Sequence, residues 1–441
     1  MARITNFSRS QQMVRRLHEI VPGGGHTYSK GFDQFPYNSP QIVTRAKGAY
    51  CDDVDGNRFI DWAMGNRVFI LGHGYEPVNE AVKSAIDDGL NFTRPGILEL
   101  ELAEYLLDLH GWADMVKFGK NGSDVTTAAI KLARAATGRS MIAVCGDHPF
   151  FSIHDWFIGS TVMDAGIPPE ESAGTVKFRY NDITSVEALF AQYPGQIAAI
   201  ILEPVKNDEP KDGFLQKLRD LATREGAVLV FDEMIAGMRF HALGAHHLYG
   251  VKPDLATYGK AVSNGFSFSF LVGNGDIMKL GGLDHDKPRV FLLSQTHASE
   301  TVGLAACRAT MEECIRLNVS DHVWGLGTRL VAGVRDIANA NGVSQHLRII
   351  GFDCNPQILC THEDGRYWPE LQTSFHEEVI ANGVLIPWIS ITWAHGEPEL
   401  AATLEAINAG AQKIRRVLED GTTVEQSFAG EAVKPVFRKY N

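Results

Sequence analysis

Ile197-Ala198-Ala199-Ile200-Ile201-Leu202, the segment Phe214 to Gly226, and Ala227-Val228-Leu229-Val230-Phe231 together decide the fold. An unbroken apolar run of this length reads as a strand covered on both faces. In the middle segment Phe214, Leu215, Leu218, Leu221 and Ala222 recur at helical spacing, and Gly226 closes the helix. The last run is a second buried strand. Strand, helix and strand in that order form a βαβ unit, with a right-handed crossover and a parallel sheet.

The alternation extends from about Ile60 to Met278. A second helix is predicted after Ser123, with Val125, Ala128, Ala129, Leu132 and Ala136 on one stripe and Gly138 at its end. Met115–Phe118 and Leu255–Tyr258 read as strands. Ser8–Ile20 reads as a helix and Val21-Pro22-Gly23-Gly24-Gly25 as a loop. A long amphipathic helix, Val302–Leu317, leads into a final stretch with its own strands and helices. The expected division is an N-terminal segment, 1–60, packing with a small domain; a large domain, 61–300; and a small C-terminal α+β domain, 301–441. The fold class is α/β, with a mostly parallel central sheet in the large domain.

A net charge of −12 argues against nucleic acid or an anionic membrane as partner, since both attract basic surfaces. No apolar run approaches the roughly 20 residues that span a bilayer, and the N-terminus lacks the apolar core of a signal peptide. Six scattered cysteines without a C-x-x-C pair read as reduced thiols, which points to the cytoplasm.

Polar groups directly after buried strands carry the chemical information, because open parallel sheets bind ligands at the carboxyl ends of their strands. Glu203-Pro204 follows one strand, Asp232-Glu233 the next, and Gly259-Lys260 a third. Gly119-Lys120-Asn121-Gly122-Ser123-Asp124 joins a strand to a helix, where unpaired N–H groups and the helix dipole favour phosphate. Singly, each has a plainer reading: Ser123 as an N-cap, Asp232 in a structural ion pair, Lys260 as a loop lysine. Together, a phosphate cradle, a strand-end carboxylate and a later lysine suit pyridoxal 5'-phosphate, which needs a phosphate site, an acid for its ring nitrogen and an amine for its aldehyde.

In these residues the sequence resembles the class III, fold-type I aminotransferases, and within them the glutamate-1-semialdehyde aminomutase branch. The resemblance covers nearly the whole chain: Val21-Pro22-Gly23-Gly24, Asp53-Val54-Asp55-Gly56-Asn57, Leu71-Gly72-His73-Gly74, Leu132-Ala133-Arg134 with Thr137-Gly138-Arg139, Asp232 to Arg239, and Pro253-Asp254-Leu255 before Gly259-Lys260. It implies the fold-type I transferase fold and a homodimer with shared active sites. Lys260 would hold the cofactor as a Schiff base and shuttle the proton. Asp232 would pair with the ring nitrogen. Gly122 and Ser123 would bind the phosphate, with Thr296 reaching the phosphate of the neighbouring subunit. Met234 and Phe150 would cover the two ring faces, Phe150 within Phe150-Phe151-Ser152-Ile153-His154, and Glu203 would help position the ring.

The departures bear on substrate. The cradle reads Asn121-Gly122-Ser123-Asp124-Val125 where the family usually has Ser-Gly-Thr-Glu-Ala, Phe150 replaces a tyrosine, Met234 a valine, and His297-Ala298-Ser299-Glu300 stands in place of Ser-Gly-Asn-Pro. With Asp147-His148-Pro149-Phe150 and the ending from Lys434 to Asn441, the pattern is similar to aminomutase-like proteins of sugar and secondary-metabolite pathways. The expectation is an aminotransferase working between an amino donor and a carbonyl acceptor such as a keto sugar. The alternatives are an intramolecular aminomutase and a catalytically silent binding subunit. Arg67 reads either as a clamp for an anionic substrate or as an interface arginine, and no arginine occurs between Val384 and Gln412. His241, His246 and His247 lack the carboxylate or Cys pattern of a metal site and read as surface or subunit-contact residues. No strand leads into Gly23-Gly24-Gly25, so it is not a dinucleotide fingerprint.

Overall fold

A computed structural model describes residues 3–150, 152–420 and 423–440. The chain forms two compact units, one from residues 76–317 with the C-terminal residues from 437, the other from the segments up to residue 75 and from 318 to 436. The breaks therefore fall later than the expected 60 and 300. Helix Thr301–Arg316 belongs to the larger unit because it packs on helix Glu76–Asp87. Its first residue, Thr301, donates from its hydroxyl to the Gly89 carbonyl at 2.9 Å.

The larger unit is built on a seven-stranded sheet. Its strands are β1 (Met115–Gly119), β2 (Met141–Cys145), β3 (Thr175–Phe178), β4 (Ile197–Leu202), β5 (Val228–Asp232), β6 (Leu255–Tyr258) and β7 (Ser269–Gly273), in the spatial order β1-β7-β6-β5-β4-β2-β3. All are parallel except β7, which runs against both neighbours. Every residue of β4 and β5 is buried, as their unbroken apolar runs require. Helix α1 (Gly122–Thr137) leaves the edge strand β1 and crosses one face toward β2, while α2 (Ile183–Gln192) and α3 (Phe214–Glu225) take part in packing the other face. Gly138 and Gly226 end α1 and α3 in the left-handed region, φ +69° and +63°, where a Cβ would be strained.

Side-chain parity follows from the sheet. Ile201 of β4, Val230 of β5 and Leu255 of β6 point to the α1 face, and Ile200, Leu229 and Phe231 to the opposite one. Continuing that alternation by two residues puts Glu203, Asp232 and Thr257 in one row on the α1 face.

In the smaller unit Val43–Lys47, Tyr50–Asp53 and Arg58–Asp61 form an antiparallel meander, with Val384–Leu385 added in parallel. A hairpin of Leu347–Phe352 and Asn355–Cys360 and the helices Val319–Ala340, Pro369–Ala381 and Glu397–Glu419 complete it. Met64, Gly65, Asn66 and Arg67 all have positive φ, a left-handed turn that only dense support holds in place. Asp61 gives that support by accepting the Ala63 and Met64 N–H groups, and Arg67 donates to the Asn355 side chain at 3.2 Å.

Candidate active site

The row at the carboxyl end of the sheet is rich in unsatisfied polar atoms. Asp232 is 2 % exposed, and its Oδ1 accepts the Met234 N–H at 2.9 Å. Burial pushes its carboxyl up to about 7, the Glu203 charge adds to this, and Lys260 opposes it. Glu203, across the β4–β5 pair from Asp232, has one oxygen on the Lys206 ammonium at 2.8 Å and the other, Oε2, without a partner. Thr257 pairs with Asp232 in the β5–β6 register, and its buried hydroxyl also has none. The buried Asp232 carboxyl is thus flanked on the neighbouring strands by a carboxylate oxygen and a hydroxyl that the protein alone does not satisfy, which in a native interior marks a place for a ligand.

Lys260 follows β6 by two residues and sits at φ +50°, a rarely occupied conformation for a residue with a Cβ. Gly259 before it and Gly122 at the start of α1 both abut Met234. A Cβ on Gly259 would meet Met234 Sδ at 2.7 Å, and one on Gly122 would meet it at 3.0 Å. Met234 therefore ties the lysine turn to the helix N-terminus in van der Waals contact. The loop entering α1 is fixed by Ser269, whose hydroxyl donates to the Asn121 carbonyl at 2.9 Å, and by Gln295, which accepts the Lys120 N–H at 3.2 Å. The N-cap of α1 is Asn121, not Ser123, and Asp124 accepts the Asn121 N–H at 3.0 Å. Ser123 instead lies in the first turn and accepts the Ile153 N–H at 3.2 Å.

The structure thus brings Gly122, Glu203, Asp232, Met234 and Lys260 to one end of one sheet face. Phe150 packs against the same core, with one ring face stacked on Phe157 at 3.7 Å between centroids. Phe151 lies outside the described residues. Thr296 is exposed on the loop before Thr301, and its carbonyl accepts from the Asn91 amide at 2.7 Å.

Glu233 points the other way. It is fully buried on the opposite face and accepts the Ala245 and His246 N–H groups and a His246 ring contact at 2.9 Å. His246 is therefore a buried structural residue, which corrects its reading as a surface or subunit-contact histidine; burial against Glu233 gives it a partner that its own neighbourhood in sequence does not show. Lys206 and Thr257 escaped the sequence reading. Thr257 could have been found from strand parity, since it lies two residues after Leu255.

Residues 34–418 match the family described as Aminotransferase class-III. The chain belongs to the class III aminotransferases. It is 30 % identical over 428 residues to the 3-aminobutyryl-CoA aminotransferase of Cloacimonas acidaminovorans, covering 95 % of this chain and all of that protein. Among solved structures it resembles the PLP internal aldimine form of the FumI protein of Sphingopyxis sp. MTA144, with a TM-score of 0.84 at 25 % identity over 94 % of this chain and 98 % of the other. It also resembles an omega-transaminase from Sphaerobacter thermophilus, TM-score 0.82 at 25 % identity over 93 % and 98 %. Class III aminotransferases use pyridoxal phosphate, and the donor set fits it: a helix N-terminus opened by a glycine, a buried carboxylate, a hydroxyl without a partner and an amine at the carboxyl end of the sheet.

Proposed function

We propose that the aminotransferase works through Lys260 and Asp232, and that its donor half-reaction releases a free carbonyl product. The reading is supported above all by the row Glu203, Asp232 and Thr257, which ends on the face crossed by α1 and next to the Gly259-Lys260 turn. The bound cofactor supplies an electron sink for the carbon that carries the amino group. Asp232, ionised, holds a proton on the ring nitrogen through a charge-assisted hydrogen bond. The first N–H groups of α1, at Gly122 and Ser123, bind the phosphate and gain from the helix dipole. Met234 would cover one face of the ring and Phe150 the other, and Glu203 would position its edge.

Lys260 Nζ is the base that takes the proton from the amine-bearing carbon of the donor. In the second half-reaction it returns a proton to the carbonyl carbon of the acceptor. A single amine can do both because its own protonation state alternates between the halves. Its ammonium is near enough to the row to lower the pKa of the Asp232 carboxyl.

The carbonyl partner that best agrees with the 30 % identical relative is a 3-oxo acyl compound, formed from a 3-aminoacyl donor, because that relative is named for 3-aminobutyryl-CoA. A keto sugar is the second reading, carried by the sequence departures at the cradle and at Phe150. The protein works as a homodimer in the cytoplasm. The dimer is supported by apolar side chains exposed together around Thr296's loop: Leu90, Phe92, Ile97, Leu100 and Phe291 are each at least half exposed. No helix among the described residues is long and apolar enough to cross a membrane, and all six cysteines are buried with no disulfide.

The test is a panel of amino donors mixed with the purified protein, following the visible band of the bound cofactor and the released product. Loss of the band with one keto compound released per donor consumed supports transamination. Isomerisation of the amine with no keto compound released would establish an aminomutase instead.

A further inference from the structure

Lys206 is the fourth residue beyond β4, in the polar stretch Lys206-Asn207-Asp208-Glu209. Its composition is that of a solvated loop, yet the ammonium is turned inward. It donates to Glu203 Oε1 at 2.8 Å and to the Pro149 carbonyl at 2.9 Å. Glu203 is 3 % exposed, so the pair is held away from water on its carboxylate side. Pro149 immediately precedes Phe150. One side chain therefore joins the end of β4 to the loop that carries the aromatic ring.

We propose that Lys206 is a positioning residue of the cofactor site: it clamps the Phe150 loop to β4 and gives Glu203 its own cation, so that the row presents one net negative charge, on Asp232, to the cofactor ring. The inference rests on the reading of Asp232 and Lys260 as cofactor ligands.

Without the ammonium, Glu203 would be a buried carboxylate with no hydrogen-bond partner on either oxygen, facing Asp232 across the strand pair. Breaking one half of a buried pair is worse than removing both halves, because the survivor keeps its desolvation cost. The other charged or titratable groups that act on this cluster are Lys260 after β6, Glu233 after Asp232, Cys145 of β2, Asp147 and His148 after it, Tyr180 after β3 and Asp208 beside Lys206. His148 is buried, and desolvation, which lowers its pKa first, persists without Lys206, so it is a poor substitute cation.

The experiment compares the full-length holoenzyme with Lys206→Met, Lys206→Gln, Lys206→Arg and the double variant Lys206→Met/Glu203→Gln. The readouts are the dissociation constant of pyridoxal phosphate across pH, the pH titration of its visible band, and the melting temperature. Lys206→Met and Lys206→Gln should raise the dissociation constant roughly tenfold or more, the effect of losing about one charge-assisted hydrogen bond. They should also move the pH midpoint for binding upward, since two carboxylates without a cation keep a proton to higher pH. Lys206→Arg should stay near the wild type, and the double variant, which leaves no uncompensated charge at Glu203, should return the pH midpoint toward the wild type. Wild-type affinity and midpoint in Lys206→Met would overturn the proposal. So would a lower melting temperature with an unmoved midpoint, or a double variant whose midpoint stays with the single ones. If Lys260→Ala and Asp232→Asn leave binding and spectrum unchanged, the failure belongs to the cofactor reading instead.

Discussion

Replacing Asp232 by Asn should stabilise the cofactor-free protein while it removes most of the activity. Asp232 is wholly buried, and desolvation first, then the Glu203 charge, raises its carboxyl to about 7. A carboxyl raised in the folded state favours folding most at acid pH. That contribution is fully present below about pH 4 and disappears as pH rises through about 7, because the folded protein binds the extra proton over that window. The displacement corresponds to on the order of 4 kcal/mol at pH 8, at about 1.4 kcal/mol per pH unit. An Asn amide has no charge to desolvate, but its NH2 group needs an acceptor, and leaving it unmet costs about 1–3 kcal/mol. The net gain is therefore about 1–3 kcal/mol. For a chain of 441 residues, an unfolding entropy of about 2 cal/mol/K per residue turns each kcal/mol into about 1 °C.

The assay is thermal unfolding of cofactor-free wild type and Asp232→Asn at pH 5 and pH 8. The variant should melt about 1–3 °C above the wild type at pH 8, and the difference should shrink or reverse at pH 5. Added pyridoxal phosphate should raise the wild type more than the variant, by mass action on a site that only the wild type completes. A variant no more stable than the wild type at pH 8 would refute the view that Asp232 is kept at an energetic cost for a cationic ring.

Lys260→Ala should retain pyridoxal phosphate through the phosphate site yet lose turnover by several orders of magnitude, since nucleophile and proton carrier vanish together; borohydride followed by peptide mass analysis should label the wild-type peptide containing Lys260 and leave the variant unlabelled. Glu233→Ala strips the buried partners from the His246 ring and two backbone N–H groups, so its melting temperature should fall by about 3–5 °C, from about 3–5 kcal/mol at the conversion above, and calorimetry would show it. Mixing inactive Lys260→Ala with Thr296→Arg should restore activity at one of the two sites of each mixed dimer, because that site combines an intact lysine with the partner's intact threonine. No recovery despite subunit exchange shown by native mass spectrometry would mean that Thr296 does not complete the neighbouring site.

The βαβ core was legible because its strands are covered on both faces and its helix carries a clean apolar stripe. The α1 boundary was read from Ser123 because Asn121 and Ser123 are both good capping residues, and the choice between them depends on where β1 stops and on Ser269 holding the Asn121 carbonyl. Met64–Arg67 has one glycine to suggest a left-handed turn, but the conformation is imposed by Asp61 and its surroundings rather than by local preference. Lys206 was invisible for a related reason. A lysine in a polar run has no local signal for burial, and its partners come from the preceding strand and from a loop more than fifty residues earlier.

Asp232 and Glu233 show how a sheet separates chemistry from support. The two residues are chemically alike and adjacent, and a position just after a strand does not by itself choose between them. Strand alternation sends Glu233 to the α3 side, where two backbone N–H groups and the His246 ring satisfy both of its oxygens. The same alternation sends Asp232 to the α1 side, beside an unpartnered oxygen of Glu203 and an unpartnered hydroxyl of Thr257. A buried carboxylate with saturated oxygens has no capacity left for a ligand and serves the fold. One raised to about 7 by burial and a neighbouring carboxylate lowers the stability of the empty site once ionised, and returns that free energy when a cation docks. The difference between the two carboxylates is therefore set by side-chain parity, and shifting β5 by one residue in its register would exchange their roles.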